Sequence, residues 1–446
     1  MYKKINCSFS TNNYSYICSL LTNDYTSIQM IKDRLKEIMF DQKDVFNSRK
    51  HLIHRDIELE KYITTSQVVI ISGIRRCGKS SLLFLIKEKM NLKESEYCYF
   101  NFDDERITAD VSILENIYSL HIEVYGTEPV LFLDEIQNID NWEKFVNRMY
   151  EQGVKVFVTG SNAHLLSSEI STSLTGRNKL IELFPFSFSE YLRFIGNKYD
   201  LDQLTQKSKS LLLKDFNNYI ETGGFPLVVK ENDTELINAY FQDILYRDII
   251  SRYRLTQVNE IKQIGLYFAS NIGKLFSYST LQEISGVKSL SSIKDYLFYY
   301  EQSYLYFYLK KFDYSVKKQI MNPKKVYTID PAFAHRLGFN FSENKGRILE
   351  NIVYLELLRR GKEVYYHSGK NECDFVVRKG LHIVEAIQVA YQVSVSNHKR
   401  EFKGLQEAMQ THNLKEGVVL TYNIEQSFIP DNAGMKIIPV WQWLLK

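Results

Sequence analysis

The chain has 446 residues, 24% of them charged, with a formal net charge of +3. That length is too great for one core, so two or three domains are expected, and near-neutral charge argues against a protein built to coat nucleic acid while leaving room for local basic patches. Cys7, Cys18, Cys77, Cys98 and Cys373 are scattered without C-x-x-C spacing, which indicates neither a disulfide framework nor a zinc site; with no apolar run long enough to span a membrane and no signal-peptide pattern, a cytoplasmic protein without a membrane partner is expected.

Residues 1 to 29 are rich in Ser, Thr, Asn and Tyr, keep no helical or strand period, and are expected to form a mobile extension. From Met30 onward Ile31, Leu35, Ile38 and Met39 make one helical face. Arg55 to Tyr62 is a short amphipathic piece suited to packing. The apolar run Val68-Val69-Ile70-Ile71 then leads into Gly73-Ile74-Arg75-Arg76-Cys77-Gly78-Lys79-Ser80, which fits G-x-x-x-x-G-K-[ST], and a helical run begins at Ser81. This reads as a phosphate-binding loop spanning Gly73, Ile74, Arg75, Arg76, Cys77, Gly78, Lys79, Ser80 and Ser81. Glycines let successive N–H groups curl around an anion, and the following helix adds the positive end of its dipole. Lys79 would reach the β- and γ-phosphates and Ser80 would offer its hydroxyl to Mg²⁺. The plainer alternative is a tight turn between strand and helix.

Further on, a strand is expected at Tyr97 to Phe102 and a helix at Ser112 to Val124. Pro129-Val130-Leu131-Phe132-Leu133-Asp134-Glu135 is a buried-strand pattern ending in two carboxylates, placed where a parallel sheet presents its ligand-binding groups. Asp134 would hold Mg²⁺ through water and Glu135 would polarise the attacking water; otherwise the pair is a solvated strand end and helix cap. A helix at Trp142 to Tyr150 and a strand at Val154 to Val158 follow, the strand ending in Thr159-Gly160-Ser161-Asn162. Alternation of this kind means βαβ units and a parallel sheet with helices on both faces. Ser161 or Asn162 could sense the γ-phosphate or the water, or make a simple strand-to-helix turn. Leu174-Thr175-Gly176-Arg177 precedes a strand at Leu180 to Leu183. Arg177 is a candidate arginine finger from the same or a neighbouring subunit, although on these residues alone an exposed loop arginine is the better reading.

In order along the chain, Gly73 to Ser80, Leu131-Phe132-Leu133-Asp134-Glu135-Ile136-Gln137, Thr159 to Asn162, Leu174 to Arg177, Phe184-Pro185-Phe186-Ser187-Phe188-Ser189-Glu190-Tyr191 and Gly223-Gly224-Phe225-Pro226 resemble the motifs of prokaryotic AAA-type ATPases of the AAA+ superfamily. Those proteins carry a C-terminal domain of unknown function with a restriction-endonuclease-like fold. The resemblance runs from about Met30 to Lys446. It implies ATP binding and Mg²⁺-dependent hydrolysis, with Lys79, Ser80, Asp134 and Glu135 in the roles above, Ser161 or Asn162 as sensor and Arg177 as finger. It implies no physiological role.

Between Ser187 and Lys310 the pattern turns helical. Gly223-Gly224-Phe225-Pro226 breaks it, and Tyr240 to Ile250 is amphipathic and core-facing, with Arg247 and Arg252 read as solvated. Ser279 to Val287 and Ser291 to Tyr300 read as two helices turning at Gly286, followed by an extended Tyr304 to Tyr308. This is a winged-helix outline with Lys288 and Lys294 on the recognition helix. Two lysines support DNA binding only weakly, so a structural or dimerisation module is preferred. Asn322-Pro323-Lys324-Lys325 marks the passage to a last domain that starts with an extended Val326 to Asp330. The expected plan is therefore an extension (1–29), a P-loop ATPase domain (30–190), a helical and winged-helix segment (191–320) and a nuclease-like domain (321–446): an α/β P-loop NTPase with a C-terminal α/β domain.

In that last domain the resemblance places a helix acid, a strand acid and an E-x-K. Glu350 and Asp374 fit the first two, as a second metal site. The third element departs: one register sets Gln388 and Ala390 at the acid and lysine positions, the other Glu385 and Ile387, and neither has a lysine. Nuclease activity is expected to be weak or lost, with Glu350 and Asp374 either retaining a metal or serving hydrogen bonds. Arg359-Arg360, Arg378-Lys379 and His398-Lys399-Arg400 are short basic patches that could touch DNA or simply be solvated. Three functions stay open: an Mg²⁺-dependent ATPase acting on a DNA or protein partner, with homo-oligomerisation one way to complete its site; an ATP-gated DNA-processing nuclease; and an ATP-binding switch with little hydrolysis.

Overall fold

The computed structural model describes residues 32–108, 110–162, 174–338, 345–393, 398–423 and 434–446. The expectation for residues 1 to 29 lies outside them. β1 (Val68–Ser72) is buried along its whole length, as a run of β-branched residues must be when both faces of its sheet are covered. It lies between β4 (Val156–Gly160) and β5 (Asn178–Glu182), with β3 (Val130–Asp134) and β2 (Tyr97–Asn101) beyond β4. All four pairings are parallel. The expected face of Leu35, Ile38 and Met39 lies on a helix at residues 32–47 and joins Ile70, Leu131 and Leu133 in one apolar cluster. Because the strands are parallel, the segments following β1, β3 and β4 emerge at one edge. β4 stands between β1 and β3, so Ser161 and Asn162 leave the sheet between the glycine loop and Asp134-Glu135.

β4 and β5 begin two residues away from their expected starts. β4 begins at Val156 because Val154 N closes the preceding helix on Met149 O at 3.0 Å. β5 begins at Asn178 because its pairing with β1 starts at Val68.

The middle of the chain is helical from Phe188 to Ser270. Helix Leu236–Asp243 continues into a π-helical turn, Ile244–Ser251. Next come β6 (Leu275–Phe276), helices Tyr278–Ser285 and Leu290–Gln302, β7 (Tyr306–Leu309) and β8 (Lys324–Thr328). Their antiparallel sheet has the order β6-β8-β7. The strand expected to open the last domain is thus part of the middle sheet: Asn322-Pro323 closes a loop carrying the short helix Val316–Met321 and is no interdomain linker.

Beyond helix Lys345–Arg359, a mixed sheet has the order β13 (Met435–Pro439), β12 (Gly417–Thr421), β11 (His382–Ala390), β10 (Glu372–Lys379), β9 (Glu363–Ser368). β9, β10 and β11 are antiparallel, while β11, β12 and β13 are parallel. One apolar cluster, including Phe186, Tyr219, Tyr327, Tyr354, Phe375 and Trp441, runs through the middle and last segments alike.

Candidate functional site

The loop after β1 needs its glycines for different reasons. A Cβ on Gly73 would lie 2.1 Å from Leu183 O, and Gly78 has φ +104°, a conformation costly to other residues. Ile74 and Cys77 are fully buried and pin the loop from below. Lys79 opens helix Lys79–Lys89 and is only 4% exposed. Its Nζ donates to Gly73 O (3.2 Å) and Ile74 O (3.3 Å) and lies 3.3 Å from Glu135 Oε1. Burial works against its charge, but Glu135 first, then Asp134 and Asp248, raise its pKa above the ordinary value. Gly73 thus lets the loop lie close against Leu183, and a buried cationic group stands beside the loop at the start of a helix, an arrangement that fits a phosphate.

At the end of β3, Asp134 is fully buried. It accepts from Tyr99 Oη (2.8 Å) and from the hydroxyls of Thr159 and Ser80. Burial pushes its pKa up, with the neighbouring Glu135 charge adding and the three hydroxyls pulling back. Glu135 has φ +54°, and its N–H donates to Thr159 Oγ1 at 2.9 Å. Thr159 thus binds both acids and fixes this turn. Burial alone would raise the pKa of Glu135, but the Lys79 ammonium and a 2.6 Å bond from Gln137 Nε2 hold it below its ordinary value. Ser80 and Asp134 share a hydrogen bond between the groups a Mg²⁺ site requires, and Glu135 stays ionised beside them.

β4 delivers Ser161, whose Oγ donates to Asp248 Oδ1 at 3.2 Å, and Asn162, whose carbonyl accepts from Ser72 Oγ at 2.9 Å. Arg49 donates to Ser81 Oγ at 3.2 Å. Arg75 spans Asp248 (Nε to Oδ2 3.2 Å, Nη2 to Oδ1 3.3 Å) and Asp103 (3.2 Å), and Arg76 pairs with Asp243 over the Tyr240 ring. Sequence reading missed Asp248, although an acid on the buried side of an amphipathic helix is a signal. It also missed Arg55, which is buried, lies 2.8 Å from Glu190 and donates to Cys77 O (3.3 Å) and Phe184 O (2.7 Å). Arg55 ties the glycine loop to the Phe184-Pro185-Phe186 segment.

Arg177 does not join this group. Its carbonyl accepts from Val68 N, the first residue of β1, at 2.9 Å, whereas the glycine loop leaves from the last. Its guanidinium donates to Asn147 (2.6 Å) and Glu151 (2.8 Å). Parallel strands put these two ends on opposite edges, which corrects the reading of Arg177 as a finger for its own subunit's site.

Glu350 and Asp374 do come together, but a lysine stands between them. Lys325 Nζ, 2% exposed on β8, lies 3.0 Å from Glu350, 2.9 Å from Asp374 and 2.7 Å from Glu372. Tyr327 donates to Glu350 at 2.6 Å and Val389 N to Asp374 at 3.0 Å. Burial, then the Asp374 charge, push Glu350 up to about 7. The lysine beside these two acids thus comes from β8, where the pattern of β11 could not show it. Among the described residues no group of three or more His, Cys, Asp or Glu is arranged to hold a metal ion, and the ammonium of Lys325 occupies the cation's position in the expected second metal site. Gln388 sits beside Asp374, its Oε1 accepting from Asp374 N at 3.4 Å. Of the basic pairs, Arg359 bonds Pro185 O and Arg360 bonds Glu356 and Trp443 O, while Arg378 pairs with Glu363. They serve packing. The side chains of His398, Lys399 and Arg400 lie outside the described residues.

Among the described residues no helix is long and apolar enough to cross a membrane. Residues 65–192 match the family model of an AAA domain, and residues 213–344 and 345–443 match two domains of unknown function, DUF8612 and DUF4143. An uncharacterised protein of Methanocaldococcus jannaschii, MJ1544, is 35% identical over 433 residues, covering 92% of this chain and 95% of its own. An uncharacterised ATP-binding protein of the same organism, MJ0147, is 24% identical over 347 residues, covering 74% and 81%. Among solved structures, PCH-2 of C. elegans aligns at 13% identity over 47% of this chain and 62% of that one, with a TM-score of 0.26.

Proposed function

Since the chain belongs to the family of the M. jannaschii protein MJ1544 and carries an AAA domain, we propose that it binds ATP at Gly73 to Ser81 and hydrolyses it with Glu135 as the group that polarises water. The observation that carries this reading is the convergence of Lys79, from the helix that follows the glycine loop, with Asp134 and Glu135, from the end of β3. Lys79 would compensate phosphate charge, and moving toward it would free Glu135 for the water. Ser80 and Asp134 would hold Mg²⁺, which when bound shields charge on the phosphate oxygens. Ser161 is the better sensor, because its hydroxyl donates to Asp248 and accepts from Gln137 Nε2, which also bonds Glu135. An apolar slot lined by His51, Leu52, Ile53, Gly78, Phe194 and Pro226 lies beside the start of the Lys79 helix, and suits the purine base.

We read the helices and three-stranded sheet between Val258 and Thr328 as a winged-helix arrangement that transmits the nucleotide state, and the last domain as a nuclease-like fold whose acids are neutralised by Lys325. Conformational output on a DNA or protein partner is therefore favoured over an ATP-gated nuclease. The finger reading of Arg177 survives only toward a neighbouring subunit of a homo-oligomer, which would show as a specific activity rising with protein concentration. Equilibrium binding of ATP tests the site: Lys79→Ala should weaken it by about tenfold or more, and equal binding by both proteins would remove the assignment.

A further inference from the structure

The helical segment Leu236–Ser251 lies over the glycine loop and grips it with two carboxylates. Asp243 pairs with Arg76 and Asp248 with Arg75. In an α-helix residues five apart lie well around the axis from one another, at 100° per residue. The wider i→i+5 turn of Ile244–Ser251 brings such positions closer to one face, and turns of this kind recur at functional sites. Asp248 is 3% exposed. One of its oxygens accepts from both Ser161 Oγ (3.2 Å) and Arg75 Nη2 (3.3 Å), and the other from Arg75 Nε (3.2 Å). Arg252 stands 3.9 Å away, with Nη1 buried and unpartnered. A carboxylate thus occupies donors of both the loop and the β4 end.

Building on the ATP-site reading, we propose that Asp248 is a latch that competes with the γ-phosphate of ATP for Arg75 and Ser161, so that ATP, and not ADP, releases the Leu236–Ser251 segment. Both ligands are anions seeking the same donors, and two anions cannot share them without repulsion. ADP ends at the β-phosphate and leaves the pair of Asp248 with Arg75 closed. ATP has to break that pair, which lowers its apparent affinity by the free energy of the latch and converts that energy into lid motion. The released helix carries Tyr240, Phe241 and Ile249 out of an apolar cluster shared with Tyr300 and Phe333, and this route reaches the winged-helix-like segment.

The test compares ADP and ATP binding by calorimetry in the full chain, with Glu135→Gln present throughout to prevent turnover. Adding Asp248→Asn, or Asp248→Ala where the amide fails to fold, should tighten ATP about tenfold and leave ADP within about twofold. Without the Asp248 change, hydrogen exchange of Leu236–Ser251 should rise with ATP and stay unchanged with ADP. An unchanged ratio of the two affinities, weaker ATP binding in the variants, or equal exchange with both nucleotides overturns the latch while leaving the site intact. Binding of neither nucleotide by the protein without the Asp248 change overturns the site reading itself, and the latch with it.

Discussion

Tyr304 Oη donates to Ser72 Oγ at 3.0 Å across 232 residues of sequence, and Ser72 Oγ in turn donates to Asn162 O at 2.9 Å. Ser72 is the last residue of β1 and Asn162 follows β4, so one tyrosine fixes the end of both strands at the candidate site. Tyr304 holds φ +62°, a strained conformation for a bulky residue, and is buried two residues before the start of β7. The winged-helix-like segment is thereby joined to the strand that launches the glycine loop.

Tyr304→Phe removes this bond and leaves the ring in place. It should cost about 1 kcal/mol, read as a lower denaturation midpoint, and should weaken ATP binding through the relaxed end of β1. An unchanged midpoint and unchanged binding would show that the bond is dispensable.

Arg55 and Glu190 are both buried, and Arg55 also satisfies two carbonyls. Arg55→Ala leaves Glu190 with the Asp56 and Ser187 N–H groups but no counter-charge, and losing one member of a buried pair costs roughly 3–5 kcal/mol. The expected result is a large fall in the unfolding midpoint together with loss of nucleotide binding, because Cys77 O loses its donor. Circular dichroism melts and ATP titration check the two effects separately.

Asp330 accepts from Gly224 N (2.7 Å) and Ala332 N (2.9 Å), and burial pushes its carboxyl up to about 7 from an ordinary 3.8. A carboxyl raised on folding binds its proton more tightly in the native state. Its contribution is therefore present at low pH and is lost as pH rises from about 4 to about 7. Asp330→Asn keeps an acceptor oxygen and cannot ionise, so its stability should decline less than wild type over that window, by on the order of 2–4 kcal/mol. Urea midpoints at several pH values read this directly; parallel profiles for the two proteins would refute it.

Lys325→Ala removes the one cation among Glu350, Glu372 and Asp374 and should destabilise by about 3–5 kcal/mol near neutral pH. The loss should shrink on acidification, because Glu350, already pushed up to about 7, becomes neutral first. A loss independent of pH would mean that Lys325 serves only packing.

The parallel sheet was readable because its strands are short apolar runs with turn residues at each end, and Gly73 to Ser80 and Asp134-Glu135 stood out because strand ends are where such residues collect. What escaped were relations between distant segments. Asp248 meets Arg75 across 173 residues and Arg55 meets Glu190 across 135, and no local period encodes either. Lys325 was visible as a residue but was taken as linker punctuation, since its partners lie on another helix and strand. Gly223 and Gly224 were read as a turn, and Gly223 does end its helix with φ +71°, but close approach demands both as well: a Cβ would meet Asp330 at 1.8 Å or Phe186 O at 2.2 Å. Arg177 failed for the converse reason, since a loop position in sequence does not say which edge of a sheet the loop serves.

Mg²⁺-dependent ATP turnover by the full chain, compared with Lys79→Ala and Glu135→Gln, tests the central claim most directly. Glu135→Gln should lose turnover by about a hundredfold or more while still binding ATP, and Lys79→Ala should lose both. Turnover that persists in Glu135→Gln would contradict the role given to that carboxylate, and turnover indifferent to Lys79→Ala would place any hydrolysis elsewhere in the molecule.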